Sequence, residues 1–151
     1  MGRLAFTFGS ALYIDTAPII YSVEKHPVYW DILEELWGAA RIDECRVVTS
    51  ELSLLETLVQ PLRAENHALV TAYEEFLVDD NISLVPVSAE VLRTSAELRA
   101  TFNLKTPDAI HAATAISSGC HYLIANDNSF RRLSDINVII LDDLIGNSDD
   151  D

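Results

Sequence analysis

Four carboxylates stand where this 151-residue chain passes from one kind of segment to another. Asp15 closes the apolar run "ALYID", Glu56 lies within "TSELSLLETLV", Asp108 sits in "LKTPDAIHAA", and Asp127 follows "HYLIA" in "LIANDNSF". Each has an ordinary structural role open to it. Asp15 before "TAPII" and Asp127 before "NSF" suit helix caps. Asp108, behind Thr106 and Pro107, suits a first helical turn, where the helix dipole favours an anion. Glu56 borders an apolar stripe of Leu52, Leu55, Leu58 and Val59 and would ordinarily be solvated. As a set they point elsewhere. If four separate elements bring these groups to one place, their like charges cannot all ionise unaided. A divalent cation compensates, and hard oxygen ligands without His or Cys neighbours suit Mg²⁺ or Mn²⁺. The chemistry of such a centre is metal-assisted hydrolysis of a phosphodiester.

Other residues stand beside these acids. His111, at i+3 from Asp108, offers a fifth ligand or a base, although on an Ala-rich helix it reads first as a packed, hydrogen-bonded side chain. Thr16 and Asn126 adjoin two of the acids and could orient a ligand or water, while Asn126 is equally a turn residue. Lys105, Arg131 and Arg132 flank Asp108 and Asp127 and are candidates for meeting a polyanion, or ordinary solvated charges.

The elements that must position these groups are legible as five continuous apolar runs at 11–15, 46–49, 82–87, 121–125 and 137–141. Continuous rather than alternating patterns suit strands covered on both faces of a parallel sheet. Helical spacing lies between them: Tyr29, Ile32, Leu33, Leu36 and Trp37 on one segment, and Leu69, Tyr73, Phe76 and Leu77 on another. A further helix is predicted over 89–102, with Val91, Leu92, Ser95, Ala96, Leu98 and Phe102 inward. Ser50 is expected to cap a helix running to Pro61, and Thr106 one that ends near Gly119. Strand and helix alternate, so the fold expected is an α/β domain with helices on both faces, and ligands belong at the carboxyl ends of the strands. Residues 1–145 form one domain in this reading, with 146–151 an acidic disordered tail.

Ten basic against 24 acidic residues give a net charge of −14, which disfavours non-specific attraction to nucleic acid or anionic lipid. Any nucleic-acid substrate must then be met through the cation and a local basic rim. Cys45 and Cys120 show no disulfide or zinc spacing. There is no signal-peptide pattern and no run of about 18 apolar residues, so a cytoplasmic location without a membrane span is expected.

With those residues in place, the chain resembles the PIN domain family, and within it the VapC-type ribonuclease toxins. The matching segments are "YIDTAPIIY", "VVTSELSLLETL", "LKTPDAIHAATAISSGCHYLIANDNSF" and "NVIILDDL". The resemblance implies a three-layer α/β/α sandwich around a parallel five-stranded sheet in the order 3-2-1-4-5. It implies that Asp15, Glu56, Asp108 and Asp127 form the acidic cluster that binds Mg²⁺ or Mn²⁺ in an endoribonuclease. It further implies an antitoxin partner and a homodimer; the acidic charge favours an antitoxin arm that is basic. Ala125-Asn126-Asp127 stands where Thr-Asn-Asp is common, which removes a hydroxyl but no acid. A housekeeping RNA-processing nuclease and a non-catalytic binding module are the alternatives. A phosphoryl-handling domain is disfavoured, because "DTAP" lacks the second Asp of an aspartate-nucleophile phosphatase and "NVIILDDL" lacks a receiver's lysine.

Overall fold

The computed structural model describes residues 2–145; Met1 and the segment 146–151, where the acidic tail was expected, lie outside the described residues. Five strands are formed: β1 Ser10–Ile14, β2 Cys45–Ser50, β3 Ile82–Val85, β4 Tyr122–Ala125 and β5 Asn137–Ile140. They pair in the order β3-β2-β1-β4-β5, and every pairing is parallel. The expected 3-2-1-4-5 sheet is therefore observed. Helices α1 Thr16–Val23, α2 Trp30–Arg41, α3 Leu52–Arg63, α4 His67–Leu77, α5 Ala89–Phe102, α6 Thr106–Ser117 and α7 Leu141–Ile145 complete the chain, with a 3₁₀ turn over Asn128–Arg132.

The unbroken apolar runs are explained by two cores. Leu12, Ile14, Val47 and Ile124 pack against Ile19, Ile32, Leu33, Leu36, Tyr73 and Leu77 from α1, α2 and α4. Tyr13, Val48, Leu123 and Ala125 face the other way, against Val91, Leu98, Ala109, Ala112 and Ala113 from α5 and α6. Successive strand residues point to opposite faces, so a strand covered on both must be apolar throughout. The alanines of α6 let that helix approach the sheet closely, which carries its N-terminus to the strand ends.

Several local expectations are corrected. Thr106 is not the cap of α6: Lys105, at ψ 155°, is the last extended residue, and Thr106 already lies in the first turn. The Ser50 hydroxyl accepts from the Leu52 amide at 3.0 Å in a short turn, and α3 continues through Pro61 to Arg63. Pro61 is buried in the last turns, where only the Thr57 carbonyl loses its helical donor. The inner face of α3 is Ser53, Thr57 and Pro61, whereas Leu55 is 62% exposed. Small hydroxyl residues face inward because each finds a partner: Thr57 Oγ1 donates to the Ser53 carbonyl at 2.6 Å, and Ser53 Oγ lies 3.0 Å from Thr49 Oγ1. That rotation turns Glu56, at i+3 from Ser53, toward the strand ends. On α5, Val91, Ser95 and Leu98 are buried, while Leu92 points outward.

Candidate active site

Parallel strands deliver their C-terminal ends to one edge. The residue after β1 is Asp15, the turn after β4 carries Asn126 and Asp127, and the helices α3 and α6 that follow β2 and α5 bring Glu56 and Asp108. Asp15 occupies the cap position of α1 but its side chain makes no cap hydrogen bond. It is instead 8% exposed and directed at His111, whose Nε2 lies 3.3 Å from Asp15 Oδ1. The same nitrogen is 2.6 Å from Glu56 Oε1, and Thr16 Oγ1 donates to that oxygen at 2.8 Å. His111 is buried, and its Nδ1 stands 2.5 Å from the Tyr13 hydroxyl. One imidazole thus joins β1, α1 and α3.

The electrostatics follow from burial and crowding. Burial drives the Asp15 carboxyl up to about 6; His111 and the Thr16 backbone oppose the shift, and the charges of Glu56 and Asp108 add to it. Asp108 is also raised, first by burial and next by the charge of Asp127. Burial alone would raise Glu56, but its hydrogen bond from His111, the His111 charge and Thr16 together hold it below the usual range. For His111 burial favours the neutral ring, yet the Glu56 hydrogen bond and the charges of Asp15, Glu56 and Asp108 prevail and raise it. In its protonated form the ring is an internal counter-ion to the cluster, with Nε2–H donating to Glu56 and Nδ1–H to the Tyr13 oxygen. Asp127 is lowered by the Ser129 hydroxyl and amide, which both donate to Oδ1, so this acid does perform a cap role.

Four carboxylates offering only oxygen donors, one of them buried with a raised pKa, fit a hard divalent cation. Among the described residues no three of His, Cys, Asp and Glu already form a metal-ligating group. The hydrogen bonds explain this: Glu56 is turned to His111 and Thr16, and Asp127 to Ser129.

The supporting residues divide. Thr16 is inside the site. Asn126 is a brace beside it, donating to Tyr29 Oη at 3.1 Å and Tyr21 Oη at 3.3 Å and accepting from the Asp142 amide at 2.9 Å. The Lys105 ammonium makes no hydrogen bond or ion pair among the described residues; its charge helps to lower Asp127 and opposes the rise of Asp108. Arg132 also lowers Asp127 while donating to the Asn103 carbonyl at 2.9 Å. Arg131 is committed elsewhere, to Asp143 at 2.7 Å and Asn128 at 2.9 Å.

Tyr13 and Ser53 are not among the residues the sequence singles out, and His111, open there to a ligand or base role as well as to packing, is packed and hydrogen-bonded inside the site. The signal for His111 was present: its i+3 offset from Asp108 places both on one face of α6. Tyr13 gave no such signal, since a tyrosine in a buried strand reads as core.

The comparisons agree with this architecture. A family model described as the PIN domain matches residues 12–136. No curated protein sequence matches the chain. Among solved structures, VapBC2 from Rickettsia felis bound to a promoter DNA fragment is similar at a TM-score of 0.70 and 18% identity, covering 86% of this chain and 98% of that one. A toxin-antitoxin complex from Klebsiella pneumoniae gives 0.64 at 22% identity over 87% and 98%. VapC20 from Mycobacterium tuberculosis, a sarcin-ricin-loop-cleaving toxin, gives 0.62 at 17% identity over 74% and 86%. Likeness at these identities is likeness of fold. The family match spans most of the chain, and the parallel 3-2-1-4-5 sheet carries the same architecture: the chain belongs to the PIN domain family.

Proposed function

We propose that this protein is a Mg²⁺- or Mn²⁺-dependent endoribonuclease and the toxin of a toxin-antitoxin pair. The observation that carries the proposal is the gathering of acids at the strand ends: Asp15 and Glu56 share the His111 Nε2 at 3.3 and 2.6 Å, the charges of Glu56 and Asp108 add to the rise of buried Asp15 to about 6, and that of Asp127 to the rise of Asp108. Asp15 and Asp108 are the carboxylates whose protonation is most favoured by their surroundings, and a cation relieves them most. Glu56 and Asp127 would join by exchanging their bonds to His111 and Ser129. A bound divalent cation supplies charge neutralisation at the scissile phosphate and a more acidic water. Thr16 holds Glu56 in place, His111 balances the cluster when no cation is bound, and Lys105 meets the phosphate backbone. The test is incubation with structured RNAs, with Mg²⁺ or Mn²⁺ or with chelator. Cleavage is expected only with the metal; cleavage that persists in chelator contradicts the proposal.

The basic rim can be ordered by the structure. Lys105→Ala is expected to weaken RNA binding several-fold and to flatten its salt dependence by about one phosphate contact. Arg131→Ala should change little, because its charge is already paired with Asp143. Filter binding at two salt concentrations checks this, and equal effects of the two changes would contradict it.

Partners follow from the same surface. A basic antitoxin arm suits an acidic cleft in a chain of charge −14, with Arg able to form bidentate carboxylate pairs. The solved complexes of similar fold include toxin-antitoxin assemblies. A homodimer is supported by Leu55 and Leu62, 62% and 57% exposed on the outer face of α3. Leu55→Asp combined with Leu62→Asp is expected to yield a monomer in sedimentation; an unchanged mass would place the interface elsewhere.

A further inference from the structure

Beside the acid cluster lies a second cavity, of about 320 Å³, between α1, α3 and α4, with Glu56 in its wall. Ile20, Pro61 and Leu69 give it an apolar surface, and polar groups converge on that surface. The Tyr73 hydroxyl, on a ring 1% exposed, donates to Glu24 Oε2 at 2.5 Å. Burial and the Glu24 carboxylate both raise the Tyr73 phenol, so it remains a donor and fixes the carboxylate. Glu24 Oε1 has no hydrogen-bond partner among the described residues, and the Gln60 side chain lines the same cavity. A carboxylate of the cavity lining that is held by a buried phenol is a built acceptor at the rim of an apolar slot.

We infer that this cavity is a nucleobase subsite of the ribonuclease and that it selects guanine. The inference rests on the ribonuclease reading and names a base specificity for it. A flat ring covers the apolar wall, as unstacked RNA bases do in protein pockets. The carboxylate then decides which ring. Guanine alone presents two adjacent donors, N1–H and the N2 amine, on its pairing edge, with O6 beside them to accept from the Gln60 amide. Adenine and cytosine place a ring acceptor beside their single amine, and uracil flanks its one N–H with two carbonyls; each meets the carboxylate with repulsion. An arginine side chain also carries adjacent donors, but its narrow head leaves most of a cavity of this size uncovered.

The test uses the whole protein and uncharged nucleosides, so that the −14 field does not enter. Guanosine, inosine, adenosine, cytidine and uridine are titrated while amide resonances of α1, α3 and α4 are followed by NMR. Guanosine is expected to shift residues around the cavity and to bind about tenfold or more tightly than adenosine, cytidine or uridine, with inosine weakened by the loss of its N2 amine. Glu24→Gln, an exposed and nearly isosteric change, should bring the nucleosides within about threefold of one another. Tyr73→Phe, which retains the carboxylate but frees it, should reduce the preference in part. Equal binding of all bases, no shifts at the cavity, or displacement of guanosine by a lower concentration of N-acetyl-arginine amide overturns the subsite; the last result assigns the pocket to a protein partner. Metal-dependent RNA cleavage is scored separately. Cleavage without guanosine binding removes the subsite and keeps the nuclease, and guanosine selectivity without cleavage does the reverse.

Discussion

Asp15→Asn is expected to lower RNA cleavage by about 10²- to 10³-fold or more, the scale of losing one charge-stabilising group from a preorganised site, and yet to make the metal-free protein harder to unfold at pH 7. The two effects share a cause. The carboxyl is raised from 3.8 to about 6 in the folded chain, so the folded state binds the Asp15 proton more tightly than the unfolded state does. Stability contributed by this group is therefore full below pH 4 and declines as pH rises to about 6, the reverse of a salt-bridged aspartate. Two pKa units correspond to about 3 kcal/mol, an upper limit for the gain, since the substitution also removes one partner of His111. Urea unfolding in chelator should show the variant matching the native protein at pH 4 and exceeding it at pH 8. A variant that unfolds more easily at both pH values and still cuts RNA would return Asp15 to a helix-capping role.

His111→Ala should have the largest effect on stability. The change removes the counter-ion shared by Asp15 and Glu56 and leaves the buried Tyr13 hydroxyl without its ring partner. Breaking a buried ion pair from one side costs about 3–5 kcal/mol. Because His111 is raised in the folded state, its contribution is complete below about pH 6.5, the unfolded value, and is lost as pH climbs through the higher folded one. The penalty should accordingly shrink in alkaline buffer. Mg²⁺ should restore stability more strongly in the variant than in the native protein, since the cation replaces the missing charge. Thermal unfolding with and without chelator measures both. Equal Mg²⁺-induced shifts on a destabilised variant would show that His111 is packing and not a counter-ion, and equal melting temperatures would deny it either role.

Much of this architecture could be read from residue types. The apolar strands and the alternation with helices lead to the parallel sheet because a strand buried on both faces tolerates little else. Asp15, Asp108 and Asp127 were conspicuous because they stand where apolar runs end or a helix begins. Glu56 was placed by the wrong argument: the leucines beside it suggested a core stripe, whereas Ser53 and Thr57 form the inner face. Periodicity counts apolar residues and cannot see that a hydroxyl is satisfied by the preceding turn or by Thr49. The roles of Arg131 and Asn126 were likewise beyond local sequence, since each depends on α7: Asp143 pairs the arginine, and the Asp142 amide holds the asparagine. The same limit applies to Glu24 and Tyr73, which lie far apart in the chain and meet only because α4 packs beside α1.

The central claim is that Asp15, Glu56, Asp108 and Asp127 form one cation-binding centre. Mn²⁺ binding followed by electron paramagnetic resonance, for the native protein and for Asp15→Asn, Glu56→Gln, Asp108→Asn and Asp127→Asn, tests it most directly. The account predicts saturable binding in the native protein, weakened about tenfold or more in every one of the four variants, the scale expected when a metal site loses a supporting group. Native-like Mn²⁺ affinity in any variant would remove that residue from the centre, and native-like affinity in all four would contradict the account.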